Sequence, residues 1–413
     1  MTTTRAGRVG WRQRLVGGLP RNVVLLGVTS FFADVSGEMI YPLVPIFLTA
    51  TLGAPMAVVG VIEGIAESTA SLVKLGSGWF SDRIGRRMPL VISGYGLAVV
   101  GKFLLVFAFG WPVVLLARFV DRFGKGVRGA PRDALIADSA PAALRGRAFG
   151  LHRSMDTAGA VIGPLLALVL VALLNDQLRL VFLLAAIPGV LSVLSLALVR
   201  EVPKPRPAST AETSETLSLV QTFRALDRRL LLFMGASLVF AVGNSSDIFL
   251  ILRAKDLGLS TTATVLAYVV YNFVYMSAAL PAGMISDRLG RRGVFILGLL
   301  VFAAVYACFA LTTSALLVWP LFAVYGLYIA MTDGIGKALV SDLAPVERRA
   351  SVLGAYGMLT GLLVLVSSAL AGVLWDQVGP WAPFTLGAVA AVAAACMLLF
   401  MPSGSRASVV AAG

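Results

Sequence analysis

Apolar runs long enough to cross a lipid bilayer recur along this chain, and no other feature limits its fold as strongly. A spanning helix needs about 20 predominantly apolar residues. Runs of that kind, punctuated by turn residues, fall at 22–50, 56–77, 88–109, 112–136, 147–174 and 178–199, and again at 229–252, 261–284, 294–313, 315–340, 350–375 and 381–402. Hydrocarbon offers the backbone no hydrogen-bond partners, so each run is read as a helix that satisfies its own N–H and C=O groups. The expected fold is all-α, with twelve transmembrane helices in a lipid bilayer. Composition agrees: 58% of residues are hydrophobic and 13% charged, against roughly 25% charged in soluble domains. The first run exceeds the 7–15 apolar residues of a signal-peptide core, so it is read as a span and not as a cleaved leader.

The formal charge of +13 resembles a nucleic-acid footprint until the cations are placed. Twenty-two of them lie in segments on one side of the spans, and only Arg179, Arg253 and Lys255 lie on the other. Such asymmetry is an orientation signal, and it predicts that both termini are cytoplasmic. No nucleic-acid partner is expected. The chain then divides into a basic N-terminus (1–21), a six-span bundle (22–199), a Pro-, Ser- and Thr-rich cytoplasmic linker (200–228), a second six-span bundle (229–402) and a short tail (403–413).

The two bundles repeat one another. GWFSDRIGRR at 78–87 returns as GMISDRLGRR at 283–292, offset by 205, and DALIADSAPAALRGRAFG at 133–150 returns as KALVSDLAPVERRASVLG at 337–354, offset by 204. An even number of spans per repeat makes the halves parallel, related by a pseudo-two-fold axis along the membrane normal.

These residues carry a family resemblance. Gly78, Asp82, Arg83, Gly85, Arg86 and Arg87 resemble the signature loop between the second and third spans of major facilitator superfamily transporters. Asp287, Arg288, Gly290 and Arg291 repeat it in the second half. Arg122 and Gly126 resemble the superfamily's Arg-x-x-x-Gly motif in span four, with Lys125 where Gln is usual. In span five, Gly150, Gly159, Gly163 and Pro164 match the spacing of a motif associated with antiporters, whose final glycine pair is here Ala167-Leu168. The resemblance, to a bacterial drug/proton-antiporter-like permease, implies two six-helix bundles around a central cavity, alternating access, and residence in a bacterial plasma membrane. It also implies gating by the loop residues. An aspartate beside a tight glycine turn accepts charge-assisted bonds from arginines and helix N-termini, and Asp138 and Asp342 end spans four and ten where they would meet those arginines. Gly163-Pro164 fits either a kink or close helix packing.

Ionisable groups inside spans are costly and point to function. Asp34 and Glu38 are four apart in span one and share a helical face, as do Glu63 and Glu67 in span two. The positions 205 residues on are Val239, Gly243, Tyr268 and Asn272, so these carboxylates belong to the first half alone. Carboxyls withdrawn from water hold protons more tightly than exposed ones. That suits Asp34, Glu38, Glu63 and Glu67 to proton coupling, with Glu63 toward the outside water. Static pairing with arginines is the other reading. Span four carries Arg118, Asp121, Arg122, Lys125, Arg128, Arg132 and Asp133. The stripe is read as a relay with a carboxylate such as Asp34, as charge balance, or as capture of an anionic solute by Arg118 and Arg122. Lys125 to Asp133 are expected at a cytoplasmic gate. In the second half, Asn244 to Asp247 form a polar patch, and Asp247, Tyr268 and Asn272 with Asn244 are candidate cavity-lining residues. His152 is read as interfacial, and Lys102 has no evident partner.

No enzyme signature is present, a single histidine excludes a histidine-built metal centre, and Cys308 and Cys396 lack metal-ligand spacing. No cofactor or metal is expected, and the protein is expected to act as a monomer. The leading expectation is a secondary transporter performing proton-coupled efflux, by antiport, of a small organic molecule. The alternative is a transporter of an anionic solute or metal complex, by symport or uniport, that uses the Arg/Lys stripe of span four.

Overall fold

The computed structural model describes residues 19–84, 86–141, 144–200, 227–344 and 349–402. The segments expected as the basic N-terminus and the tail, and the linker from 201 to 226, lie outside the described residues, apart from the edges at 19–21 and 227–228.

Helices form where the apolar runs fall. Spans two to six are single helices: Met56–Ile84, Met88–Val106, Trp111–Ser139, Arg145–Leu173 and Leu178–Leu196. Spans eight, nine, eleven and twelve are Thr261–Leu289, Arg291–Leu311, Arg349–Gln377 and Ala382–Leu399, and span ten is Val318–Leu343 entered by a 3₁₀ turn at Ala315–Leu317. Eleven of the twelve spans pass as membrane-crossing by length and hydropathy among the described residues. Span four is the twelfth, and its charge stripe is what lowers its hydropathy. Outward faces stay apolar: Val100, Leu116, Val169, Ile187 and Leu194 are each about half exposed, as lipid-facing residues should be.

Two spans that read as continuous runs are broken. Span one is helical over Arg21–Ile40, turns at Tyr41 to Leu43, and resumes as Val44–Ile46 running into a π-helical turn at Phe47–Thr51. Pro42 has no N–H to donate to the carbonyl of Glu38, which ends the regular ladder there. Span seven is helical over Arg228–Gly243 and Ile248–Asp256, with Asn244 to Ser246 outside the helix. The released backbone groups find side-chain partners: Ser367 Oγ donates to Asn244 O at 3.1 Å and Ser246 N donates to Ser368 Oγ at 3.1 Å. Irregular backbone at membrane depth persists only where protein satisfies it in this way.

By contact the chain forms two compact units. One comprises residues 1–41, 73–108 and 116–206, the other 42–72, 109–115 and 207–413. The six-span halves are defined by the repeat and the units by contact, so the two divisions cut the chain differently at 42–72 and 109–115. In the first unit span one packs on spans five and six. Gly159 and Gly163 make this possible, because a Cβ on either would sit 2.7 Å from a span-one carbonyl, Phe31 O or Val35 O. Small residues let helix backbones approach in lipid, where apolar burial alone does not drive association. In the second unit, spans eight, nine and ten pack together and spans seven and nine pack on span twelve. The first part of span two joins this unit against span eleven. Asp376 accepts from Met56 N at 3.1 Å and Ala57 N at 2.7 Å, capping the helix start, and Ser68 Oγ donates to Gly361 O at 2.7 Å.

At the repeated loop, Gly290 closes span eight with φ +98°, a left-handed conformation that L side chains resist. Its counterpart Gly85 lies outside the described residues, as do the side chains of Asp82 and Asp287.

Candidate functional site

The break in span one sets the geometry of the first unit's cavity. Ala33, Asp34, Gly37, Glu38 and Tyr41 line it from span one, Lys102 from span three, and Arg118, Asp121, Arg122, Lys125 and Arg128 from span four, around about 390 Å³ of space that includes open solvent. Residues 118, 121, 122, 125 and 128 recur every three or four positions, so one face of span four supplies every charge it contributes. Where the first helix ends, the Tyr41 ring meets this face, with the Arg118 and Arg122 guanidinium carbons 5.8 and 6.0 Å from its centroid, a cation–π arrangement. Arg128 stacks on Tyr95, 4.0 Å from that centroid.

Lys102, without an evident partner in the sequence, is 5% exposed and donates to Asp121 Oδ1 at 3.2 Å and to Ala98 O at 3.2 Å. Asp156, Lys125, Arg128 and Arg132 are among the charged neighbours of Asp34. Arg122, the relay partner suggested by the sequence, lines the same cavity as Asp34 and is an electrostatic neighbour of Asp121. Lys125 and Arg128, expected at a gate, line the cavity. Arg132 turns aside to Asp133 Oδ1 at 2.9 Å and Ser30 Oγ at 3.3 Å.

The sequence reading passed over Asp156. It lies 3.5 Å from His152 Nδ1, whose Nε2 sits 2.8 Å from Ser30 Oγ, and Ser30 in turn bonds Tyr95 Oη at 2.9 Å. His152 is 4% exposed, buried within the unit. The pair's spacing of four in span five was the available signal.

The expected carboxylates fall in different units: Asp34 and Glu38 in the first, Glu63 and Glu67 in the second. Glu63, expected near outside water, has no exposed surface. In the second unit the span-seven break presents Asp247, which accepts from Tyr325 Oη at 2.7 Å and Tyr271 Oη at 3.0 Å. Glu67 is its charged neighbour. The Tyr268 ring packs against Tyr271 at a tilt of 59°, with centroids 5.5 Å apart. Asn272 is turned onto its own helix, donating to Tyr268 O at 3.0 Å. Tyr325, in span ten, was missed because a tyrosine in an apolar run reads as packing. At the loops, Arg87 pairs with Asp138, and Arg291 with Asp342 at 3.1 Å. Arg83, Arg86 and Arg288 are exposed, and a Cβ on Gly78 would meet Ala130 at 3.3 Å. Gly163, with Pro164 beside it in an unbroken helix, backs onto Glu38.

Comparison places this architecture among known proteins. The family model described as Major Facilitator Superfamily matches residues 26–268 and 232–412. The MFS-type transporter MJ1317 of Methanocaldococcus jannaschii is 34% identical over 389 residues, covering 93% of this chain and 95% of that one. The multidrug resistance protein MdtH of Aeromonas hydrophila is 24% identical, covering 88% and 90% of the two chains. Among solved structures, the nucleoside transporter NupG superposes with a TM-score of 0.77 at 15% identity, covering 93% of this chain and all of that one. The all-α membrane fold and these matches define a class of membrane transporters. The chain belongs to the major facilitator superfamily and is a membrane transport protein.

Proposed function

We propose that the chain is a proton-coupled transporter of a small organic solute, working by alternating access, with Asp34 and Glu38 exchanging protons and the cavity beside them holding the solute. The observation that carries this reading is the sharing of one cavity by two span-one carboxylates and the cationic face of span four. Protonation of either carboxylate changes the charge that a solute meets, which is what coupling requires. Within the second unit, Glu67 and Asp247, with Asn244, Tyr268 and Asn272 on spans seven and eight, are the polar groups assigned to transport, and Glu63 is a buried carboxyl on the same span as Glu67. Arg87–Asp138 and Arg291–Asp342 act as gate pairs at the side assigned to the cytoplasm, supported by their recurrence in both repeats. Residence in the plasma membrane with both termini cytoplasmic rests on the distribution of basic residues, and the working form is taken as a monomer.

Antiport export is favoured by the span-five motif and by the likeness to MdtH. Yet Gly159 and Gly163 have a sufficient structural reason in the close packing of span five on span one. The alternative, an anionic solute, is favoured by the excess of cations in the cavity. The test is purified protein in vesicles loaded with a pH-sensitive dye and given solute gradients. Proton movement that requires solute and is abolished in Asp34→Asn supports the reading. Solute movement with protons unaffected by Asp34→Asn and Glu38→Gln rejects it.

A further inference from the structure

Resting on the reading of this cavity as the transport site, we infer that its solute is an anion, a carboxylate or phosphate, and that it crosses together with protons and not in exchange for them.

The first argument is charge. The lining holds Lys102, Arg118, Arg122, Lys125 and Arg128 against Asp34, Glu38 and Asp121. Lys102 and Asp121 form an ion pair at 3.2 Å, which leaves four cations facing two carboxylates. The lining therefore carries a net positive charge, and an anionic solute is the one whose charge it complements.

The second argument is Arg128. It is 6% exposed, its ring contact is the face of Tyr95 at 4.0 Å, and its Nε and Nη1 are buried without a hydrogen-bond partner among the described residues. Stacking engages the face of a guanidinium and leaves its in-plane donors for a planar acceptor. Buried donors are otherwise nearly always satisfied, and a carboxylate or phosphate bonds such a fork in bidentate fashion. Arg118 and Arg122, backed by Tyr41, line the same space.

Coupling follows from thermodynamic linkage. The groups around Asp34 are Glu38 and Tyr41 on its own span, Lys102 from span three, Arg118, Asp121, Arg122, Lys125, Arg128 and Arg132 from span four, and Asp156 and His152 from span five. From span six, Arg179 is turned to the carbonyls of Val106 and Ala108. An anion among these cations is repelled by ionised Asp34 and Glu38, so it binds more tightly once either is protonated. With an effective dielectric near 20 and a separation of about 10 Å, one proton raises anion affinity on the order of tenfold. Reciprocity then requires the bound anion to raise proton affinity by the same factor, so the loaded carrier holds both. A cationic solute would compete with the proton, and the same carboxylates would then give exchange.

The test uses phenyl phosphate, benzoate and succinate as anions, benzyltrimethylammonium as the cation and benzyl alcohol as the neutral probe. Binding is read by thermal stabilisation of the purified protein at pH 6 and pH 8, and proton flux in dye-loaded vesicles. Expected are stabilisation by an anion, roughly tenfold tighter at pH 6, and tight binding at both pH values in Asp34→Asn, where the repelling charge is gone. Arg128→Gln weakens that binding and Arg128→Lys restores it in part. Asp34→Asn keeps the inference testable if the Arg128 variants fold poorly. Stabilisation by the cation, stronger at pH 8 and lost in Asp34→Asn, overturns the anion while leaving proton-coupled transport standing. Stabilisation by no anion overturns it as well. Proton flux indifferent to every probe in a folded protein removes the underlying reading. Repeating the assay in phosphatidylcholine vesicles with and without phosphatidylglycerol separates a soluble anion from a lipid headgroup, and displacement of the probes by phosphatidylglycerol overturns co-transport.

Discussion

Replacing one member of the Lys102–Asp121 pair should reveal an asymmetry set by what each partner keeps. Removing one side of a buried ion pair typically costs about 3–5 kcal/mol, because the survivor is left as an uncompensated charge, whereas replacing both is often near neutral. Asp121, when Lys102 becomes Met, still has Arg118, Arg122 and Arg128 as charged neighbours. Its side chain also keeps 22% exposure. Lys102, when Asp121 becomes Asn, is left 5% exposed with the Ala98 carbonyl as its remaining hydrogen-bond partner and with Arg122 and Arg128 as like-charged neighbours. Asp121→Asn should therefore cost about 3 kcal/mol, Lys102→Met about 1 kcal/mol, and the double variant no more than the worse single one. Equilibrium unfolding in mixed micelles with increasing denaturing detergent measures all three. Equal costs for the two single variants, or a larger cost for Lys102→Met, would refute the assignment of Lys102 as the dependent partner.

Gly163→Val should destabilise the protein by about 1–3 kcal/mol by overpacking and disturb coupling as well, since the new Cβ lies 2.7 Å from Val35 O and 2.9 Å from Glu38 Cβ; melting temperature and proton flux check both. Tyr325→Phe removes the hydroxyl that donates to Asp247 at 2.7 Å and should cost about 1.5–3 kcal/mol if that carboxyl is charged, read by the same unfolding titration. Asp138→Asn should change stability by less than about 1 kcal/mol, because its pair with Arg87 is partly exposed. It should nevertheless alter the labelling rate of a cysteine placed at the end of span two, and an unchanged rate would count against a gate role for the pair.

The span pattern was legible because a bilayer imposes a length and hydropathy on every helix; most observed helix ends fall within about four residues of the expected ones, while spans two and eight run seven and five residues further. The breaks at Tyr41 to Leu43 and Asn244 to Ser246 were not, although Pro42 and the run Asn-Ser-Ser-Asp mark them. Hydropathy averages over a window and does not register where a hydrogen-bond ladder stops. The grouping of Asp34 and Glu38 with the span-four cations was foreshadowed by helical spacing. Which cation faces which carboxylate depends instead on how spans one, three, four and five are rotated. Small side chains at the contacts set that rotation: Gly159 and Gly163 against span one, and Gly94 and Gly101 of span three against span four. Lys102 looked isolated because its partner, Asp121, lies on another helix, and the bond from His152 to Ser30 likewise crosses between helices.

The most direct test of the central claim, that protons and solute meet at Asp34 and Glu38, is proton uptake on solute binding by detergent-solubilised protein in weakly buffered solution. Adding benzoate, succinate or phenyl phosphate should raise the pH as the carboxylates take up protons, and the change should shrink in Asp34→Asn and vanish when Glu38→Gln is added. Proton uptake of the same size in the double variant, with solute still bound, would contradict the claim and place coupling elsewhere in the protein.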